Sequence, residues 1–130
     1  MRDIGVARLR EEPPGGRYRV LVDRLWPRGV RKEDSLWEEW LKDVAPSSGL
    51  RAWYGHDPSR YALFRQRYRE ELARAAHDTA VQHLLDLLAS RSVVLLTATR
   101  DLERSQVPVL AAFLRETLGG TPTTGRPDLE

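Results

Sequence analysis

The chain contains no cysteine. Disulfides, thiolate metal sites and cysteine nucleophiles are therefore excluded. Lysine is nearly absent too: Lys32 and Lys42 are the only two among 21 Lys and Arg residues. Its three histidines, His56, His77 and His83, show no paired spacing, so no metal-ligand pattern arises and no metal is expected. No apolar run approaches the roughly 20 residues of a membrane-spanning helix. The start, Met1-Arg2-Asp3-Ile4, lacks the apolar core of a signal peptide. The default expectation is a cytoplasmic protein that does not enter a membrane. Gly-x-Gly-x-x-Gly, a phosphate loop of the Gly-Lys-Ser type and a Gly-x-Ser-x-Gly elbow are all missing. No cofactor is expected.

What is present is a 130-residue chain, 41% hydrophobic and 31% charged, of a size that fits one soluble domain with its own core. Net charge is only +2, but the positive charge is almost all arginine. Guanidiniums bind carboxylate and phosphate in bidentate fashion and stack on aromatic rings. The plain reading is a base-composition bias of the coding genome, which would account for most of the arginines but not for where they sit.

Ile4 to Leu9 reads as a strand. Glu11 to Gly16 is a loop, broken by its proline and glycine pairs. Tyr18 to Leu25 reads as a second strand around the apolar run Val20-Leu21-Val22, buried on both faces. Pro27 and Gly29 stop it. Asp34 or Ser35 would cap a helix from about Leu36, with Trp37, Trp40 and Leu41 at helical spacing. A brief turn over Leu50 to Tyr54 follows. Asp57-Pro58 then opens the clearest helix, to Ala76, with Tyr61, Phe64, Tyr68 and Leu72 on one stripe. Another helix spans Thr79 to about Ala89. Ser92 to Thr97 is a third buried strand, and a last helix runs from about Ser105 to Leu118. The expected architecture is a single α/β domain over residues 1–118, with a short, mainly parallel three-stranded sheet flanked by helices. Residues 119–130 form a flexible tail. The helical crossover between the second and third strands makes them parallel, so their carboxyl ends share one edge. Ligands of open α/β sheets sit beyond such an edge. The loops Asp23 to Gly29 and Thr97 to Asp101 should therefore meet.

The stretch Arg19-Val20-Leu21-Val22-Asp23-Arg24-Leu25-Trp26-Pro27-Arg28-Gly29 resembles the signature of the bacterial YeaO-like proteins, a domain of unknown function numbered 488 in that series. The likeness continues through Trp40-Leu41-Lys42, Ala45-Pro46-Ser47, Leu50-Arg51-Ala52-Trp53, His56-Asp57-Pro58, Phe64 to Leu72 and Leu95 to Asp101, and covers roughly residues 2–117. It implies a small intracellular α/β domain with no agreed activity, substrate or cofactor. Where many relatives carry Asn-His-Ala, this chain has Ser105, Gln106 and Val107. The resemblance thus gives no catalytic weight to that helix start, although Gln106 keeps hydrogen-bonding capacity.

Two acid–guanidinium sets leave neighbouring strands: Asp23 and Arg24 with Arg28, and Arg100 with Asp101. The leading expectation is a pocket for a small phosphate- or carboxylate-bearing ligand. Arg24, Trp26, Arg28, Arg100 and Asp101 would bind it, with Trp26 as a wall. Asp23 and His56 are the candidate catalytic acid–base groups if a reaction occurs; whether the protein is an enzyme stays open. The plainer reading makes these pairs salt bridges and caps, with Asp57 capping a helix and Trp26 filling the core. A second class of function is nucleic-acid binding through Arg24, Arg28, Arg31, Lys32 and exposed tryptophans, ranked lower because net charge is small. A third is a partner-binding domain without pocket chemistry.

Overall fold

The computed structural model describes residues 4–11 and 17–119. The expected tail lies outside them, apart from Gly119, which ends the last helix; most of the Glu11 to Gly16 loop lies outside them as well. Four strands form one sheet: β1 (Ile4–Arg8), β2 (Tyr18–Leu21), β3 (Glu39–Trp40) and β4 (Val93–Thr97), in the order β1-β4-β2-β3. All three pairings are parallel. The four α-helices are α1 (Ser48–Tyr54), α2 (Tyr61–Arg74), α3 (Thr79–Ser90) and α4 (Gln106–Gly119). The α/β class with parallel strands and flanking helices is as the sequence implies, but the sheet has four strands, not three. Among the described residues no helix is long and apolar enough to cross a membrane.

β4 occupies the centre, and all five of its residues are buried. Its alternation assigns the two cores. Val93 and Leu95 join Ile4, Val20 and Val22 beneath the helices; Val94 and Leu96 join Ala7 and Leu21 on the opposite face. Apolar stripes from all four α-helices enter the first core, including Leu50, Phe64, Tyr68, Leu84 and Leu110. Among the described residues, no α-helix contributes to the second core. Leu9 and Val30 close it, with Leu36, Trp37 and Trp40 packed against them.

The helix expected from Leu36 is absent. A 3-10 turn spans Lys32–Asp34, and the chain then pairs with β2 as β3. The spacing of Trp37 and Trp40 suits a helix, but the short stretch before the break at Ala45-Pro46 gains few helical bonds to offset nucleation. Pairing satisfies the open edge of β2 instead: Glu38 N–H donates to Arg19 O at 2.9 Å and Leu41 N–H to Leu21 O at 2.9 Å. The strand expected to reach Leu25 ends at Leu21, although Val22 N–H still donates to Leu96 O at 3.0 Å. The brief turn at residue 50 is a full α-helix. Ser47 Oγ caps it by accepting from Leu50 N–H, and Glu71 holds Ser47 through its N–H at 2.9 Å and its hydroxyl at 2.6 Å. Pro58–Arg60 forms a 3-10 turn ahead of α2, capped by Asp57.

The β2–β3 edge carries the acid-sensitive contacts of the sheet. Arg19 grips Glu38 at 2.7 Å, and its hydrogen bonds hold the Glu38 carboxyl below the usual range. Burial pushes the Glu39 carboxyl up, but hydrogen bonds from Tyr18 at 2.6 Å and His83 at 2.7 Å outweigh it, and the result is lowered. A carboxyl whose pKa is depressed by folding contributes stability above its unfolded value and loses it as pH falls through the folded one. The melting temperature should therefore hold level down to about pH 5 and fall below it, through the range of unfolded glutamates near 4.3. Thermal scans of Glu38→Gln across pH check this: the variant should show a shallower acid decline, and an unchanged decline would remove Glu38 from the account.

Candidate functional site

The carboxyl ends of β1, β4 and β2 form one rim, and Asp23 lies at its centre. Its Oδ1 accepts from Thr97 Oγ1 at 2.6 Å and from Gln106 Nε2 at 2.8 Å; its Oδ2 accepts from Ala98 N–H at 2.8 Å. Gln106 also donates to Val22 O at 3.2 Å. One carboxylate thus ties the end of β2 to the end of β4 and to the first residue of α4. The loops expected to meet do meet, through this group.

The chain folds this way for local reasons. Thr97 is the last, fully buried residue of β4, and its hydroxyl also accepts from Thr99 N–H at 3.1 Å, which turns the chain outward. On the β2 side, Trp26 Nε1 donates to Val30 O at 2.7 Å, and Val30 N–H closes a turn onto Pro27 O. Gly29 takes φ +76° in that turn, a conformation that L side chains rarely adopt. Arg28 projects from the tip of this turn.

The ridge at Asp23 and Ala98 separates two hollows. On the second-core side, Arg8, Arg10, Arg28 and Arg100 surround a hollow of about 330 Å³ with Leu9, Pro27 and Val30 as apolar wall. Glu11 is its one carboxylate among the described residues. Arg8 occupies it, donating from Nε at 3.1 Å and from its backbone N–H at 2.9 Å, which lowers the Glu11 pKa. Among the described residues Arg10 makes one long hydrogen bond, to Gly29 O at 3.4 Å, and its charge also acts on the Asp34 carboxylate. The side chains of Arg28 and Arg100 have no hydrogen-bond or ion-pair partner among the described residues.

On the helical side, a hollow of about 140 Å³ lies between the end of β2, α1, α2 and the start of α4. Asp23, Arg24 and His56 line it, along with Arg51, Tyr54 and Phe64. Arg24 donates from Nε to Pro46 O at 3.0 Å and from Nη2 to Ala45 O at 3.1 Å. Tyr54 donates to Arg104 O at 2.6 Å, and burial pushes its phenol up, as it does that of Tyr61, so both remain neutral donors.

The expected site residues are thus divided rather than gathered. Arg28 and Arg100 face one hollow; Asp23, Arg24 and His56 face the other. Asp101 faces neither. It pairs with Arg104 at 3.1 Å at the start of a 3-10 turn. Trp26 lines neither hollow; it is 41% exposed and sits edge-on to Trp37 at 5.1 Å and Trp40 at 5.5 Å. Asp57 turns from His56 to Ser59, accepting from its N–H at 3.0 Å and its hydroxyl at 2.8 Å. Arg31 bonds Asp34 at 3.3 Å.

Three lining arginines escaped sequence reasoning. Arg8 and Arg10 leave the carboxyl end of β1, and the parallel register Ile4↔Val93 puts that end on the same rim. A cation-rich exit from a third strand, Arg8-Leu9-Arg10, was the available signal. Arg51 lies in the Leu50-Arg51-Ala52-Trp53 segment that carries the resemblance, but nothing in its spacing points to the rim.

Fold and site together define a parallel α/β domain with arginine-lined hollows at the carboxyl ends of its strands. Residues 3–127 match the model of a family described as the inactive DUF488-N3 subclade, and the chain belongs to that family. It is similar to the uncharacterized protein Rv3073c of Mycobacterium tuberculosis (strain ATCC 25618 / H37Rv), 50% identical over 113 residues, covering 85% of this chain and 92% of that one. It is 39% identical over 98 residues to the uncharacterized protein YeaO of Escherichia coli (strain K12), covering 75% of this chain and 84% of that one. No solved structure matches it.

Proposed function

We propose that this protein binds, without transforming it, a small ligand carrying phosphate or carboxylate in the hollow between the ends of β1, β4 and β2. The observation that carries this reading is the uncompensated charge of that hollow. Arg10, Arg28 and Arg100 converge on it, while Glu11, its only carboxylate among the described residues, is already held by Arg8. Guanidiniums in this arrangement offer paired donors to a multivalent anion. Two features support binding over catalysis. The family is described as inactive, and the rim's central acid, Asp23, already accepts three hydrogen bonds. Its place is in the frame that positions the loops.

Isothermal titration with inorganic pyrophosphate tests the reading. One site is expected. The double variant Arg28→Ala/Arg100→Ala should weaken it by about 100-fold or more, since each charge-assisted bond contributes roughly 1.5–3 kcal/mol. Both side chains are exposed, so the fold should survive. A nucleic-acid module behaves differently: random-sequence oligonucleotide affinity would drop on the order of a thousandfold between about 50 and 200 mM salt. Oligonucleotide binding that is lost in Arg31→Ala but kept in the double variant would sink the small-anion reading.

A further inference from the structure

The hollow on the helical side of the Asp23 ridge has a different character from the arginine-lined one. It is small, about 140 Å³, and part of its wall is aromatic. Tyr54 and Phe64 stack there at 4.3 Å between ring centroids, 19° from parallel. Its rim carries Leu25, which is 58% exposed, the most exposed large hydrophobic side chain among the described residues. Apart from Asp23, the polar groups on the described wall are cationic or neutral. Arg24 spends Nε and Nη2 on backbone carbonyls and keeps Nη1. Arg51 makes no side-chain hydrogen bond or ion pair among the described residues, nor does the His56 ring. Asp23 is the only acid on the wall among the described residues, and both its oxygens are engaged by the frame. His56 enters the wall with φ +58°, directly after Gly55 at +53°. Two consecutive left-handed residues turn the chain sharply at the end of α1 and bring the ring beside Tyr54, 6.0 Å between centroids.

A cavity of about 150 Å³ lined by apolar side chains holds a benzene ring. A ring of that size fits the volume here, and the free donors call for an acidic substituent. We infer that this hollow is a second binding site, for a small planar ring bearing one carboxylate or phosphate. The ring lies against Leu25 and the Tyr54–Phe64 stack, and the acid group is met by Arg24 Nη1, Arg51 and the His56 imidazole. The site is separate from the arginine-lined hollow and does not depend on it.

Benzoate is the probe, followed by amide chemical shifts on the full chain. Shifts should concentrate at Leu25, Arg51, Tyr54 and His56. Arg51→Ala and Leu25→Glu alter exposed side chains and should each weaken benzoate at least tenfold while the rest of the spectrum stays dispersed. Acetate lacks the ring and benzyl alcohol lacks the charge; both should bind at least tenfold more weakly. Phenyl phosphate should share the site, and its affinity relative to benzoate separates the two acid groups. Arg28→Ala/Arg100→Ala should leave benzoate untouched, while Arg51→Ala should leave pyrophosphate untouched, so either site can fail alone. The inference is overturned if benzoate produces no shifts, if its shifts centre on Arg28 and Arg100, or if Arg51→Ala and Leu25→Glu bind it as the parent does.

Discussion

Asp23→Ala should lower stability by about 3 kcal/mol or more, since each stranded buried donor costs roughly 1–3 kcal/mol. Thr97 is fully buried and cannot turn to water for a replacement acceptor, while Gln106, 9% exposed, keeps only Val22 O and the edge of the helical-side hollow. The Ala98 N–H is more exposed and recovers part of its loss by hydration. At this chain length the melting temperature should fall by about 10–15 °C. Asp23→Asn should lie between the variant and the parent. It keeps one acceptor oxygen but presents an amide donor to groups that are themselves donors. The triple variant Asp23→Ala/Thr97→Val/Gln106→Leu should recover much of the loss, because removing the donors removes the penalty. Chemical denaturation of the set gives the answer; an Asp23→Ala variant within about 0.5 kcal/mol of the parent, the size of an ordinary surface change, would show that the carboxylate is dispensable to the fold.

Trp40→Ala is the second large effect, expected to cost about 3 kcal/mol, at the lower end for aromatic truncation because the ring is half-buried. Three contacts go at once. The ring is packed against the second core, to which no α-helix contributes among the described residues. Its Nε1 donates to Asp23 O at 2.6 Å, which fixes the backbone at the centre of the rim. Trp26 rests on it edge-on, an arrangement contributing roughly 0.5–1.5 kcal/mol beyond area burial. Trp40→Phe should retain packing and lose only the hydrogen bond, at about 1–2 kcal/mol. Because Trp26 anchors the Pro27–Val30 turn through Val30 O, Trp40→Ala should also loosen Arg28 and weaken pyrophosphate binding. Fluorescence of the remaining tryptophans reports the loosening as a red shift. No shift, with unchanged pyrophosphate affinity, would separate the tryptophan cluster from the site.

Much of the frame was legible in the sequence. Val93 to Leu96 and Val20 to Val22 are continuous apolar runs, and central parallel strands, covered on both faces, require such runs. Phe64, Tyr68 and Leu72 hold one stripe over α2, and all three are buried. The loops after β2 and β4 meet because the crossover between them forces a parallel pairing. The segment from Leu36 to Trp40 was not legible. Its aromatic spacing fits a helix, while its actual state depends on an open strand edge 19 residues away in the chain, Val20 pairing with Glu39 and Leu21 with Trp40. β3 has only two residues, too few to show a period of their own.

The site divides in the same way. Residue types alone establish that Asp23, Arg24, Arg28, Arg100 and Asp101 leave two buried strands as a dense acid–guanidinium set, and that no cysteine or paired histidine takes part. Which guanidinium finds a partner is a matter of tertiary distance. Arg24 reaches backbone carbonyls at Ala45 and Pro46, and Asp101 closes on Arg104, while Arg28 and Arg100 remain without a described partner. Arg8 and Arg10 join them only because β1 pairs beside β4, a register that no local pattern encodes. Sequence placed the charges at strand ends, since burial of a strand interior drives its charged residues to the termini. The packing of those ends around Asp23 decided which charges neutralise each other and which stay without a partner among the described residues.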